Sequence, residues 1–106
     1  MSPTARSLQY LRALGYKAEV VEKTIPKTFI KKDLWGADIL AVKSGELILA
    51  VQCTSGSNVS ARIQKLNENG FTQLWKSVGV SIEVWGWRKA GPRGQRKVWQ
   101  LRREAL

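Results

Sequence analysis

The chain has 106 residues, with 18 Lys or Arg against 8 Asp or Glu, a net charge of +10, one cysteine and no histidine. That length suits one domain with a single modest core, and the ordinary hydrophobic content argues against wholesale disorder. No stretch approaches the ~18 consecutive apolar residues of a membrane span, and no apolar signal-peptide core follows Met1, so a cytosolic location is expected. Without histidine, His-based triads are excluded and a zinc site is disfavoured, while Cys53 inside an apolar stretch reads as a small buried hydrophobe.

In chain order, the first predicted element is a helix over Ser2 to Leu14. Ser2 suits the cap, Pro3 the first helical position, and Gly15 the stop. Leu8, Leu11 and Leu14 form its apolar stripe, leaving Arg6, Gln9 and Arg12 to point away. Lys17 to Lys23 reads as a strand, with Glu22 near its end as either a solvated charge or an acid turned toward a site. Thr24 to Trp35 reads as irregular and basic, carrying Lys27, Lys31 and Lys32. Asp33 follows them, placed either to neutralise those lysines or to help bind a metal.

Gly36 to Ser55, GADILAVKSGELILAVQCTS, reads as a hairpin at the centre of the sheet. Both faces of its second strand are mostly apolar, as in a strand covered on two sides. A three-residue Lys43-Ser44-Gly45 loop with Gly45 left-handed would set Val42 against Glu46 and Asp38 against Ala50. Asp38, Gln52 and Thr54 would then share one face at one end of the hairpin. A two-residue Ser44-Gly45 turn would instead oppose Asp38 to Val51 and separate them. The plain structural alternative is that Asp38 caps a turn while Gln52 and Thr54 satisfy backbone groups at the sheet end.

Beyond the hairpin, a helix is predicted over about Val59 to Glu68, with Arg62, Lys65 and Glu68 along one side, and a short one near Thr72 to Lys76. Val80 to Arg88 reads as a strand in which Trp85 and Trp87 belong to the core. A Gly/Pro loop over Ala90 to Gln95 and a last strand over Lys97 to Arg102 end the chain's pattern. Between Arg88 and Arg103 there are seven basic residues and no acidic one, which points to a polyanion partner, most simply nucleic acid; the alternative is a solvated charged face.

This order of elements, with GADILAV and then ILAVQCTS, resembles the PD-(D/E)XK nucleases, especially small archaeal and viral Holliday-junction resolvases and other phage-type members. The resemblance covers about Leu8 to Trp87. It implies an α/β fold with a restriction-endonuclease-like αβββαβ core, a central mixed sheet flanked by helices. It also implies a metal-dependent deoxyribonuclease using Mg²⁺ or Mn²⁺, a DNA partner, a homodimer, and a virus- or phage-encoded origin.

Asp38 matches the family aspartate, Gln52 stands where the second acid usually is, and Thr54 stands in the lysine's place. Arg6 and Gln9 occupy the places of the first-helix acid that many resolvases use. By that resemblance Glu22, Asp33 or Glu68 would supply a second metal-binding carboxylate, and Lys65 the catalytic cation. Lys27, Lys31, Lys32, Arg62, Arg88, Lys89, Arg93, Arg96 and Lys97 would contact DNA. Two alternatives stand beside this: a DNA-binding module of the same fold that has lost catalysis, and a basic RNA-binding or protein-interaction subunit.

Overall fold

The computed structural model describes residues 1–28 and 30–106; Phe29, within the stretch expected to be irregular, lies outside them. Helix α1 (Pro3–Ala13) starts as the sequence dictates, with Ser2 Oγ accepting the Ala5 amide at 3.1 Å and Pro3 opening the first turn. Its inward face differs from the predicted leucine stripe. Leu11 is fully buried and Leu14 is exposed, while Ser7 is buried because Trp87 Nε1 donates to its hydroxyl at 2.9 Å.

Strand β1 (Lys17–Val20) is shorter than predicted, and the chain then leaves the main sheet. Strands β2 (Lys23–Ile25) and β3 (Ile30–Lys32) pair with each other as a separate antiparallel ribbon where irregular chain was expected. All six strand residues of the ribbon are exposed, so it has no apolar face to announce it in the sequence. Strands β4 (Ile39–Val42) and β5 (Leu49–Ser55) form the expected central hairpin. A 3-10 turn (Gly56–Asn58), α2 (Val59–Glu68) and α3 (Phe71–Ser77) cross over to β6 (Ser81–Ala90), which turns back into β7 (Val98–Ala105).

The main sheet has the order β1-β4-β5-β6-β7, with β5 and β6 parallel and every other pair antiparallel. It is a mixed sheet in an α/β domain. Leu11, Ala18, Ile39, Val51 and Trp85 pack on the α1 side. Ala50, Val59, Leu66, Trp75, Ile82 and Val84 pack on the α2/α3 side. Trp85 and Trp87 are core residues, as predicted.

The hairpin register departs from the three-residue loop. Leu40, not Asp38, faces Ala50, and the strands end at Val42 and Leu49, leaving Leu47 and Ile48 exposed. The slip amounts to two residues, so every side chain keeps its face. Asp38, one step before Ile39, lies just outside the ladder, its amide donating to the Val51 carbonyl at 2.8 Å. No helix among the described residues is long and apolar enough to cross a membrane.

Candidate functional site

Where β1 and β5 end and β4 begins, a cleft of about 390 Å³ opens between the start of α1 and the side of α2. Its wall brings together Glu22, Asp33, Asp38, Gln52 and Thr54, residues that lie apart in the chain. Lys31 from the β2–β3 ribbon, Arg62 from α2, Cys53 and Ser55 of β5, the cap residue Ser2, and Pro3 and Thr4 of α1 complete it. The first turn of α1 carries no acid, so its positive end and two cations stand against three carboxylates.

Asp33 and Asp38 each have a local reason for their position. Leu34 and Ala37 exchange both main-chain hydrogen bonds, at 2.9 and 3.0 Å, across a tight turn with Trp35 at φ 49° and Gly36 at φ 86°. Such left-handed pairs close two-residue hairpins. Asp33 Oδ1 accepts the Gly36 amide at 3.1 Å, and the Trp35 carbonyl is pinned by Trp75 Nε1 at 3.0 Å. The turn delivers the chain to Asp38, whose amide donates to the Val51 carbonyl at 2.8 Å. Beyond the end of β4, the Cys53 amide donates at 2.8 Å to Asp38 Oδ2.

Asp38 is 7% exposed and Gln52 5%. Burial pushes the Asp38 carboxyl from 3.8 up to about 7; the Cys53 amide pulls it down, and the nearby charges of Glu22 and Asp33 push it further up. Burial also pushes the Cys53 thiol up to about 12, so it remains protonated at neutral pH. Gln52 Oε1 is buried with no hydrogen-bond partner among the described residues. An unpaired buried acceptor is costly. Gln52 lines both the cleft and a smaller hollow of about 30 Å³, where Lys65 also sits.

Three carboxylates and an orphaned amide oxygen are the hard donors that Mg²⁺ and Mn²⁺ prefer, and a cation would offset the burial and the neighbouring negative charges that drive Asp38 toward its neutral form. Among the described residues no three His, Cys, Asp or Glu side chains form a ready ligand cluster. The donor set therefore fits a hard cation only with Gln52 as a ligand beside the acids.

Glu68 is not brought to the cleft; it accepts from Gln64 Nε2 at 3.0 Å on the exposed side of α2. Lys65 reaches the small hollow with Asp33 and Gln52 but does not line the larger cleft. Arg88 lies against Gly56 and lines a neighbouring hollow of about 750 Å³, which shares Ser55 with the cleft and holds no carboxylate. Lys89, Arg93, Arg96 and Lys97 belong to the β6–β7 hairpin beyond the end of β5, and Lys27 sits in the β2–β3 turn.

Of the seven basic residues near the C-terminus, two are already paired: Arg103 grips both oxygens of Glu83 at 3.0 and 3.2 Å, and Arg102 meets Glu104 at 3.0 Å. The sequence missed Ser7 as the partner of Trp87 and Ser2 to Thr4 as cleft wall; the capping signal at Ser2 was the available clue to the latter. No protein-family model, curated protein or solved structure matches the chain.

Proposed function

We propose that the chain is a metal-dependent nuclease of the PD-(D/E)XK type, hydrolysing phosphodiester bonds of DNA at the Asp38 cleft. The observation that carries this reading is the orphaned Gln52 Oε1 buried in a wall shared with Glu22, Asp33 and Asp38. The order of α1, the antiparallel β1, β4 and β5, a helical crossover and the parallel β6 supports the restriction-endonuclease-like core.

Asp38 and Gln52 would hold Mg²⁺ or Mn²⁺, with Glu22 and Asp33 on the same wall. The ion supplies Lewis-acid stabilisation of the charge that builds on an attacked phosphate. Lys31 and Arg62 bind the incoming phosphate by charge, and the positive end of α1 adds to that attraction. The Cys53 amide orients the Asp38 carboxylate, and burial keeps bulk water from that side of it. Thr54 brings a hydroxyl, not a cation, to the lysine's usual place, so Lys65, Lys31 or Arg62 has to supply the positive charge.

The test is cleavage of duplex, branched and single-stranded DNA with Mg²⁺ or Mn²⁺, comparing the natural chain with Asp38→Asn. Cleavage by the natural chain and none by the variant is the expected result; equal cleavage by both would place the chemistry elsewhere. The absence of a ready three-acid cluster among the described residues favours a second reading, a DNA-binding module without catalysis. Normal DNA binding with no cleavage under either metal would establish that reading instead.

A further inference from the structure

The radius of gyration, 14.4 Å, exceeds the ~13 Å of a compact chain of this length. Two ribbons project from the sheet, and both leave from the end that carries the cleft. The β2–β3 ribbon follows β1, whose Val20 pairs with Ile39 just beyond Asp38. The second is the far part of the β6–β7 hairpin. β5 accompanies β6 only as far as Ser55, opposite Trp87. From Arg88 onward β6 has β7 alone for a partner, through Ala90 opposite Val98.

Both ribbons are purely basic. Residues 23–32 carry Lys23, Lys27, Lys31 and Lys32 with no acid, and residues 88–100 carry Arg88, Lys89, Arg93, Arg96 and Lys97 with no acid. In sheet order β1 and β6 are separated by β4 and β5, which places their ends ~14 Å apart at the usual strand spacing. The cleft lies between them, touched by Lys31 on one side and by Ser55, at the root of the other ribbon.

We infer that the β6–β7 arm enters the major groove of duplex DNA while the lysines of the β2–β3 ribbon hold the phosphate backbone on the opposite side of the cleft. This rests on the proposed function only for the site to which the duplex is delivered. A two-stranded ribbon, with strands ~4.8 Å apart, fits a B-form major groove ~12 Å wide, whereas the deep, narrow major groove of duplex RNA does not admit it. A single strand would call for bare aromatic rings on which bases stack. The arm's one aromatic residue, Trp99, already has Arg6 at 3.9 Å and Lys89 at 5.5 Å from its ring centre. Arg6 comes from α1, so the same contact braces the arm against the body and lowers the entropy lost when it binds.

The experiment measures fluorescence anisotropy of the full chain, in chelator, with a labelled DNA duplex, the matching single strand and the matching RNA duplex. The DNA duplex should bind tightest. Arg93→Gln, Arg96→Gln and Lys97→Gln combined should weaken it roughly tenfold or more and flatten the dependence of log affinity on log salt by about 3, at ~0.9 per lost phosphate contact. Lys23→Gln with Lys27→Gln should also weaken it, and the two losses should multiply. A duplex whose major groove is filled by bulky pyrimidine 5-substituents should lose affinity as the arm variant does. Circular dichroism of the variants should be unchanged, since every substituted side chain is exposed. Equal affinity for the single strand or RNA duplex, an arm variant that binds normally, or indifference to groove filling would overturn the inference. Binding as described without cleavage would remove the nuclease and keep the arm; cleavage by an arm variant of undiminished affinity would do the reverse.

Discussion

Asp38 Oδ2 accepts the Cys53 amide at 2.8 Å, and this one bond both orients the carboxylate and satisfies a strand amide that β4 no longer reaches. The residue is therefore structural and electrostatic together, and two substitutions separate the roles. Asn keeps an oxygen acceptor for the amide while Ala does not, and a buried amide left unpaired costs ~1–3 kcal/mol. Chemical denaturation of the metal-free protein should show Asp38→Asn more stable than Asp38→Ala by about that margin. Equal stabilities would mean that the Cys53 amide finds another acceptor.

Gln52→Glu should have opposite effects with and without metal. A fourth carboxylate beside Glu22, Asp33 and Asp38 adds repulsion at a buried position, so the metal-free variant should melt below the natural chain at pH 8. Bound Mg²⁺ or Mn²⁺ should reverse the order, because a ligand that binds only the folded state stabilises it by mass action. Cleavage should rise in parallel. A variant that melts lower and gains nothing from either ion would show that Gln52 Oε1 does not face the cation.

Gly36→Ala tests the turn that delivers Asp33 and Asp38. At φ 86° an L side chain is strained, and a methyl group there would run into Leu66 Cδ2. Strain and overpacking together should cost ~2–4 kcal/mol. Thermal unfolding should show a clear drop, and the surviving folded protein should bind Mn²⁺ more weakly. A change within experimental error would mean that α2 yields freely at Leu66.

The hairpin shows why part of the site was legible. The sequence reading set Asp38 against Ala50 and the structure sets Leu40 there, yet Asp38, Gln52 and Thr54 still meet, because a two-residue slip preserves face. The parity came from reading Gly45 as left-handed, which it is at φ 83°; the length was set by the loop from Lys43 to Ile48, with Leu47 and Ile48 exposed, which carried no such signal. The β2–β3 ribbon was invisible for a related reason: with every strand residue exposed, no alternation of apolar and polar records its pairing. Ser7 was hidden because its burial is set by the indole of Trp87, a partner 80 residues away in sequence.

The acidity of Asp38 gives the last prediction, and its sign follows from the direction of the shift. The folded state raises the carboxyl from 3.8 to about 7, chiefly through burial, against the pull of the Cys53 amide. Below about pH 4 both folded and unfolded chains hold the proton, and Asp38 contributes no pH dependence. Between about 4 and 7 the unfolded chain has lost the proton that the folded one keeps, so stability falls as pH rises through that window. Above about 7 both are ionised and the full penalty remains, on the order of 4 kcal/mol for a shift of this size. Asp38→Asn cannot ionise and loses this component alone, so the difference between variant and natural chain isolates it from the other acids. Urea unfolding in chelator from pH 4 to 8 should show the variant gaining on the natural chain across the window and levelling above it. With Mg²⁺ or Mn²⁺ in place of chelator, the natural chain should recover most of that loss, because the cation stabilises the ionised carboxylate. Parallel profiles in chelator would show that Asp38 ionises freely in the folded protein, and the electrostatic case for a cation beside it would fall.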